Sequence, residues 1–387
     1  MTSIPDLGGD RPWMTDDLRI FREAARSVLC REFSPHFARW RSQGSVDRDA
    51  WCRAGAAGLL CPAVSVLYGG GGGTFAHDAV IAEELEYTGI GMGFSVALHN
   101  AMVVPYLERY GTDEQRRAWL PGCATGEIVT AIAMTEPDTG SDLQAVRTRA
   151  VRVGDDYRIT GQKTFITNGQ LADLIVTVCR TGPETGGRGL SLIAVPATAP
   201  GFRRGRNLEK VGLRASDTSE LFFDDARVPV WYVIGGVEEQ GFRMLMEQLP
   251  QERLLIAISA VAALERAVWL TIEYAHGRKA FGQPLFDFQN TQFLLAECQT
   301  EAEVARAFID RCIERHLKGQ LDSRTASMAK WWSTEKQNHV IDRCLQVFGG
   351  NGYMADYPIA QMFVDARVQK IYGGTNEIMK MLIARSL

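Results

Sequence analysis

Residues 133–143 read AMTEPDTGSDL. Proline, aspartate, threonine and glycine in succession make this a turn on local chemistry alone. Its weight comes from its place in the chain, just after the point near residue 127 at which the apolar period changes. Before that point Leu18, Phe21, Ala25, Val28 and Leu29 recur on one helical face, with Thr15 as cap and Asp16 and Asp17 suited to the first-turn dipole. Thr112 and Gln115 have the capping-box spacing ahead of a further short helix. Beyond it the period is 2: Val151 and Val153 alternate with arginines, Asp155 and Asp156 supply a turn, and apolar runs at 157–166, 174–179 and 190–195 are punctuated by Gly and Pro. From Gly241 the helical period returns over 241–276, 288–318, 323–348 and a final pair within 356–385. The expected division is a helical unit at 1–126, a small antiparallel β unit at 127–235 and a second helical unit at 236–387.

A chain of 387 residues, 46% of them hydrophobic, has ample material for a packed core. A net charge of −4 with Lys and Arg scattered leaves no electrostatic footprint for nucleic acid or an anionic membrane. The eight cysteines contain no CxxC pair and read as buried thiols of a reducing compartment. The six histidines lack ligand spacing, so no metal is expected. Residues 1–17 have neither a signal-peptide apolar core nor the arginine-rich character of a transit peptide, and no apolar run approaches the ~20 residues of a membrane span. A cytoplasmic protein without membrane insertion is the expectation. The glycine run 69–73 is not followed by Gly-Lys-Ser/Thr and reads as a flexible interhelical turn before Thr74.

Further segments complete what 133–143 begins: GQKTFITNG at 161–169, GLRASDTSELFFDDARVP at 212–229, RKAFGQPL at 278–285, QVFGGNGYM at 346–354 and DARVQKIYGGTNEI at 365–378. In this order and spacing they resemble the acyl-CoA dehydrogenase family over nearly all of the chain from Thr15 onward. LPQERLLIA at 249–257, LDSRTASMAKWW at 321–332 and IYGGTNEIMK at 371–380 are most like its long-chain branch. The resemblance implies an α+β fold with an N-terminal helical domain, a middle antiparallel β domain and a C-terminal four-helix bundle. It implies FAD-dependent α,β-dehydrogenation of an acyl-CoA thioester to the trans-2-enoyl-CoA, by a homotetramer that passes electrons to an electron-transfer flavoprotein. It also makes the long glycine run at 69–73 a loosened entrance to the active site.

Such chemistry needs a desolvated base for the α-proton, donors that hold the developing enolate oxygen, and a flat acceptor for the β-hydride. No side chain accepts a hydride; the resemblance supplies FAD, through its N5. Many family members carry the catalytic carboxylate immediately before the Gly-Thr pair of the IYxGT run, where this chain has Gly373. The base must then sit elsewhere, and the resemblance of LPQERLLIA to the long-chain and isovaleryl branches, whose base comes from a helix earlier in the chain, implies Glu252, with Pro250 bending that helix. The bland reading of Glu252 is a solvent-facing partner of Arg253 or Lys210. The resemblance gives the backbone N–H at Gly373 the role of oxyanion donor, which glycine retains. The resemblance places Met134, Thr135 and Ser141 along the flavin pyrimidine edge and diphosphate, and Thr167 and Phe165, where tryptophan is common, against the ring. Arg278, Gln289, Gln346 and Gly350 resemble adenosine and diphosphate contacts reaching from a neighbouring subunit, with Thr375 and Glu377 closing the same pocket. Ser141, Pro250, Arg253, Gly373 and Gly374 are the expected substrate contacts. Gly93 and Ala97, one helical turn apart on the segment bounding the acyl pocket, leave room for a long or branched chain. Three alternatives stand beside this: the same chemistry on an acyl carrier protein, an oxidase, and a non-catalytic FAD-binding scaffold.

Overall fold

In the computed structural model, which describes residues 11–183 and 186–387, the chain opens with helices α1 (Asp16–Val28), α2 (Phe37–Gln43), α3 (Arg48–Ala56), α4 (Phe75–Tyr87), α5 (Val96–Leu98), α6 (Val104–Tyr110) and α7 (Asp113–Thr125). The first ten residues, part of the stretch read for a leader, lie outside the described residues. Helix α1 starts where its cap directs: the Leu18 amide donates to Thr15 Oγ1 at 3.3 Å, and Leu18 and Ala25 are buried. The capping box of α7 closes in both directions, Thr112 N to Gln115 Oε1 at 2.9 Å and Gln115 N to Thr112 Oγ1 at 3.2 Å. Gln115 Nε2 also donates to the carbonyls of Trp231 and Val233, tying α7 to the end of the β region. Thr112→Ala is expected to cost about 1 kcal/mol, read as a lowered urea midpoint.

The glycine run is wound rather than flexible. The amides of Gly70, Gly71, Gly72 and Gly73 donate to the carbonyls of Ser65, Cys61, Val64 and Pro62, and a Cβ at Gly70 would stand 2.3 Å from Val64 O. Glycine is used here for close backbone approach. None of these residues borders the cavity described below.

Strands β1 (Thr130–Ala133), β2 (Arg149–Val153), β3 (Asp156–Thr167), β4 (Leu174–Arg180), β5 (Leu190–Pro196), β6 (Phe202–Asn207) and β7 (Thr218–Pro229) form one seven-stranded sheet in the order β1-β4-β2-β3-β7-β6, with β5 also on β4. The sheet is mixed, correcting the all-antiparallel expectation: β1 and β2 both run parallel to β4. Alternation along a strand reveals which face is buried and says nothing of its partner's direction. The β2–β3 turn is Gly154-Asp155, one residue earlier than expected, because Val153 pairs with Asp156 and Gly154 takes the corner at φ +64°.

The C-terminal part holds α8 (Gly241–Gly277), a short hairpin of β8 (Lys279–Ala280) and β9 (Gln283–Pro284), then α9 (Gln289–Leu317), α10 (Ser323–Val347), α11 (Pro358–Ala366) and α12 (Asn376–Ala384). Helix α8 runs unbroken through Pro250 and packs against α4, α9 and α10. By length and composition it could cross a membrane, contrary to the expectation that no apolar run comes near that length. Most of its apolar stretch is buried by its neighbours, so it is the central core helix. A buried ionic cluster fixes the neighbours around it: Arg306 on α9 donates to Glu83 on α4 at 2.6 Å and to Glu265 on α8 at 2.7 Å, and Tyr87 donates to Glu265 at 2.5 Å.

Candidate active site

The 133–143 stretch leaves the sheet at the end of β1 and turns back on itself, with Glu136 N donating to Thr139 O at 2.8 Å and Thr139 N to Glu136 O at 3.1 Å. The Glu136 carboxylate accepts from the amides of Arg147 and Thr148 and from Lys163 Nζ at 2.9 Å, and Lys163 also donates to Met134 O at 3.0 Å. Lys163 is fully buried, so this ion pair nails the turn to β3. A register shift in the β3–β7 pairing between Lys163 and Ile166 puts Phe165 at φ +58° and leaves its side chain 68% exposed.

Met134, Thr135, Gly140, Ser141, Phe165 and Thr167 form one wall of a cavity of about 610 Å³. Among the described residues none hydrogen-bonds the hydroxyls of Thr135, Ser141 or Thr167, and a Cβ at Gly140 would meet nothing within 4 Å. An exposed aromatic ring, three unengaged hydroxyls and a bare glycine on one face suit a flat ring system with a hydrogen-bonding edge, as the isoalloxazine of FAD is.

The opposite wall comes from α8 and the segment after α11. Glu252 is 5% exposed, so it is not the solvent-facing residue of the bland reading, and Lys210 is engaged elsewhere, donating to Ser216 O. Burial pushes the Glu252 carboxyl up to about 7, against the opposing pull of the Tyr106 hydroxyl and Arg253. Tyr106 donates to Glu252 Oε1 at 2.7 Å, and Arg253 Nη1 donates to Ser323 Oγ at 3.2 Å. Gly373 and Gly374 border the same cavity at φ +64° and +90°, a conformation that favours glycine. Their loop is held by Lys330 on α10, fully buried, whose Nζ donates to Gly374 O at 2.7 Å and Asn376 Oδ1 at 3.0 Å. Burial and the nearby Arg253 push the Lys330 amine down to about 7. A Cβ at Gly373 would stand 2.3 Å from Ile256 Cδ1. Ile256 is one turn along α8 from Glu252, so α8 both presents the carboxylate and fills the space that a side chain at 373 would enter.

The remaining lining is largely apolar: Met92, Leu98, Met102, Phe242, Met246 and Leu249. Gly93 and Ala97 are not part of it, correcting their expected role in making room. A Cβ at Gly93 would stand 2.6 Å from the Phe37 ring, and the backbone between them leaves the helix at Phe94. Of the expected substrate contacts, Ser141, Arg253, Gly373 and Gly374 border the cavity, and Pro250 lies half-buried on α8 outside it. Thr375 caps α12, accepting from the Ile378 amide at 3.3 Å, with the exposed Glu377 in its first turn. Arg278, Gln289, Gln346 and Gly350 are exposed and away from the cavity, on a surface where Phe281 is 96% and Tyr353 87% exposed. Sequence reading missed Tyr106, Lys330 and Ile256, whose partners are distant in the chain. Ser95, Leu98 and Met102 recur at i, i+3 and i+7 and were within reach of a helical-face reading.

Comparison with known families adds the decisive observation. Models of the acyl-CoA dehydrogenase N-terminal, middle and C-terminal domains match residues 15–127, 131–226 and 239–387. The chain belongs to the acyl-CoA dehydrogenase family. This dehydrogenase is 47% identical over 382 residues to the mitochondrial long-chain specific acyl-CoA dehydrogenase of Mus musculus, covering 98% of this chain and 88% of that protein. It superimposes on an acyl-CoA dehydrogenase of Geobacillus kaustophilus with a TM-score of 0.95 at 48% identity, covering 97% of this chain and 99% of that one. A glutaryl-CoA dehydrogenase of Mycobacterium smegmatis in complex with FADH2 matches with a TM-score of 0.90 at 27% identity, covering 96% and 94% of the two chains. The dehydrogenase is thus an FAD-dependent α+β oxidoreductase acting on CH–CH bonds, as its family is.

Proposed function

We propose that this dehydrogenase converts a saturated acyl-CoA of long chain to the trans-2-enoyl-CoA, with Glu252 taking the α-proton and the Gly373 N–H holding the thioester oxygen. The observation that carries this is the pairing of a buried carboxylate with a left-handed diglycine on one cavity wall, facing the exposed Phe165 ring on the other. FAD, when bound, supplies the hydride acceptor. The protein's own part is to keep a base desolvated yet ionisable near neutrality, to point a backbone N–H where negative charge develops, and to exclude water with the apolar lining. Long-chain preference is supported by that lining and by the likeness to the long-chain specific relative.

The test is anaerobic titration with saturated acyl-CoAs of increasing length, following bleaching of the oxidised flavin. Bleaching by long-chain esters is the expected result. Full flavin occupancy with no response to any free CoA ester, and bleaching by an acyl carrier protein thioester, would transfer the reaction to the carrier-bound chain. Leu98→Trp, placing a larger side chain on the apolar wall, is expected to lower kcat/KM for the longest esters on the order of tenfold relative to short ones. Equal losses at all lengths would remove Leu98 from chain-length selection.

We further propose a homotetramer and an electron-transfer flavoprotein as acceptor. Exposure of Phe281 and Tyr353 beside Arg278 and Gly350 supports cover by a second copy. Light scattering of the FAD-loaded protein tests the assembly.

A further inference from the structure

We propose that Tyr106 is the positioning residue of the base: its hydroxyl fixes one Glu252 oxygen, leaving the other for the substrate's α-hydrogen, and sets the pH at which the carboxylate becomes available. The inference rests on the assignment of Glu252 as base. Tyr106 comes from α6, in the first helical part, and is fully buried. Its hydroxyl donates to Glu252 Oε1 at 2.7 Å, the one hydrogen bond that this carboxylate receives among the described residues. Tyr106 does not itself border the cavity, so it acts through Glu252.

Two consequences follow from the donor being a phenol. Burial and the adjacent carboxylate keep the hydroxyl protonated far above the working range, so with Glu252 ionised the bond runs from tyrosine to glutamate. A hydrogen bond to the charged form favours that form, opposing the burial that disfavours it. The other charged and titratable groups around the pair are Arg253 on the same helix, Arg109 and Tyr110 on α6, Lys330 on α10, and His316 on α9, which contacts Gln251 at 3.1 Å. Arg109 is held by Gln248 Oε1 at 2.6 Å and Arg253 by Ser323, so neither replaces the phenol as a hydrogen-bond donor to Glu252.

The experiment compares wild type, Tyr106→Phe and Glu252→Gln as FAD-loaded full chains. The rate of flavin bleaching by one acyl-CoA is measured by stopped flow from about pH 6 to pH 9.5, and protonation of the Glu252 carboxyl by infrared difference titration without substrate. Loss of a hydrogen bond to a carboxylate is expected to move the acid limb of the rate profile and the infrared titration upward together, by about one pH unit. From a starting value of about 7, that shift leaves a roughly fivefold lower rate at pH 7, recovered at high pH. A Tyr106→Phe rate lowered equally at every pH, with the infrared titration unmoved, would reduce Tyr106 to a packing residue. Undiminished bleaching by Glu252→Gln would overturn the base assignment instead, and a Tyr106→Phe protein too unstable to load FAD is replaced by Tyr106→Leu, which also lacks a donor and is judged on the same infrared shift.

Discussion

Glu252→Gln is expected to slow flavin reduction by acyl-CoA about 10²- to 10⁴-fold while leaving FAD bound and making the protein more stable above pH 7. Activity falls because glutamine keeps the shape and accepts the Tyr106 hydrogen bond but cannot take a proton. FAD is retained because Met134, Thr135, Ser141, Phe165 and Thr167 stand on the opposite wall. The stability gain follows from the sign of the shift. Burial raises the Glu252 carboxyl from 4.5 to about 7, so between these values the native state keeps a proton that the unfolded chain has released. Stability from this group is complete below pH 4.5 and is lost as pH rises through 7, where the ionised carboxylate costs on the order of 3 kcal/mol. Stopped-flow rates and thermal unfolding of both proteins at pH 5 and pH 8 check the two halves. A variant that bleaches at the wild-type rate would end the assignment; a stability difference between variant and wild type that is the same at both pH values would contradict the burial argument alone.

Gly373→Ala is expected to lower the reduction rate roughly 10²-fold and to destabilise the protein by about 2–4 kcal/mol. Left-handed φ disfavours any residue with a Cβ, and this Cβ would meet Ile256 Cδ1. The loop must then shift, moving the Gly373 N–H away from the thioester oxygen. A sharper version asks whether a carboxylate can be moved back to 373. Gly373→Glu in the Glu252→Gln protein is expected to stay inactive until Ile256 is also cut to alanine, since Ile256 holds the space. Recovery of acyl-CoA-dependent bleaching without the Ile256 change would show that the site repacks freely. Recovery only in the triple variant would make Ile256 the residue that bars the alternative placement.

The helical parts were legible because their apolar periods are long and their caps explicit, as at Thr15 and Thr112. The parallel pairing of β1 and β2 with β4 was not, since direction and neighbour are fixed by the path of the chain in space. The glycine run misled in the opposite sense: glycine signals freedom in the unfolded chain, while here it permits amides to reach the carbonyls of 61–65. Within the site, the missing side chain at 373 said only that a base must come from another element, and the likeness of LPQERLLIA to the long-chain branch made Glu252 the candidate. The partners of Glu252 left no such trace. Tyr106 lies 146 residues away from it in a helix whose sequence carries no motif. Room for the acyl chain was misread at Gly93 because the space opened by a small residue is taken by Phe37.

Helix α10 touches both halves of the proposed chemistry through residues on three successive turns of one face. Ser323 and Ser327 receive Arg253, the neighbour of Glu252, and Lys330 grips Gly374, the neighbour of Gly373. The separation between proton acceptor and oxyanion donor is therefore measured out along a single stretch of rigid backbone, as on a calliper whose jaws belong to other parts of the chain. Slack anywhere in those two turns would mistune both jaws at once, even with Glu252 and Gly373 untouched.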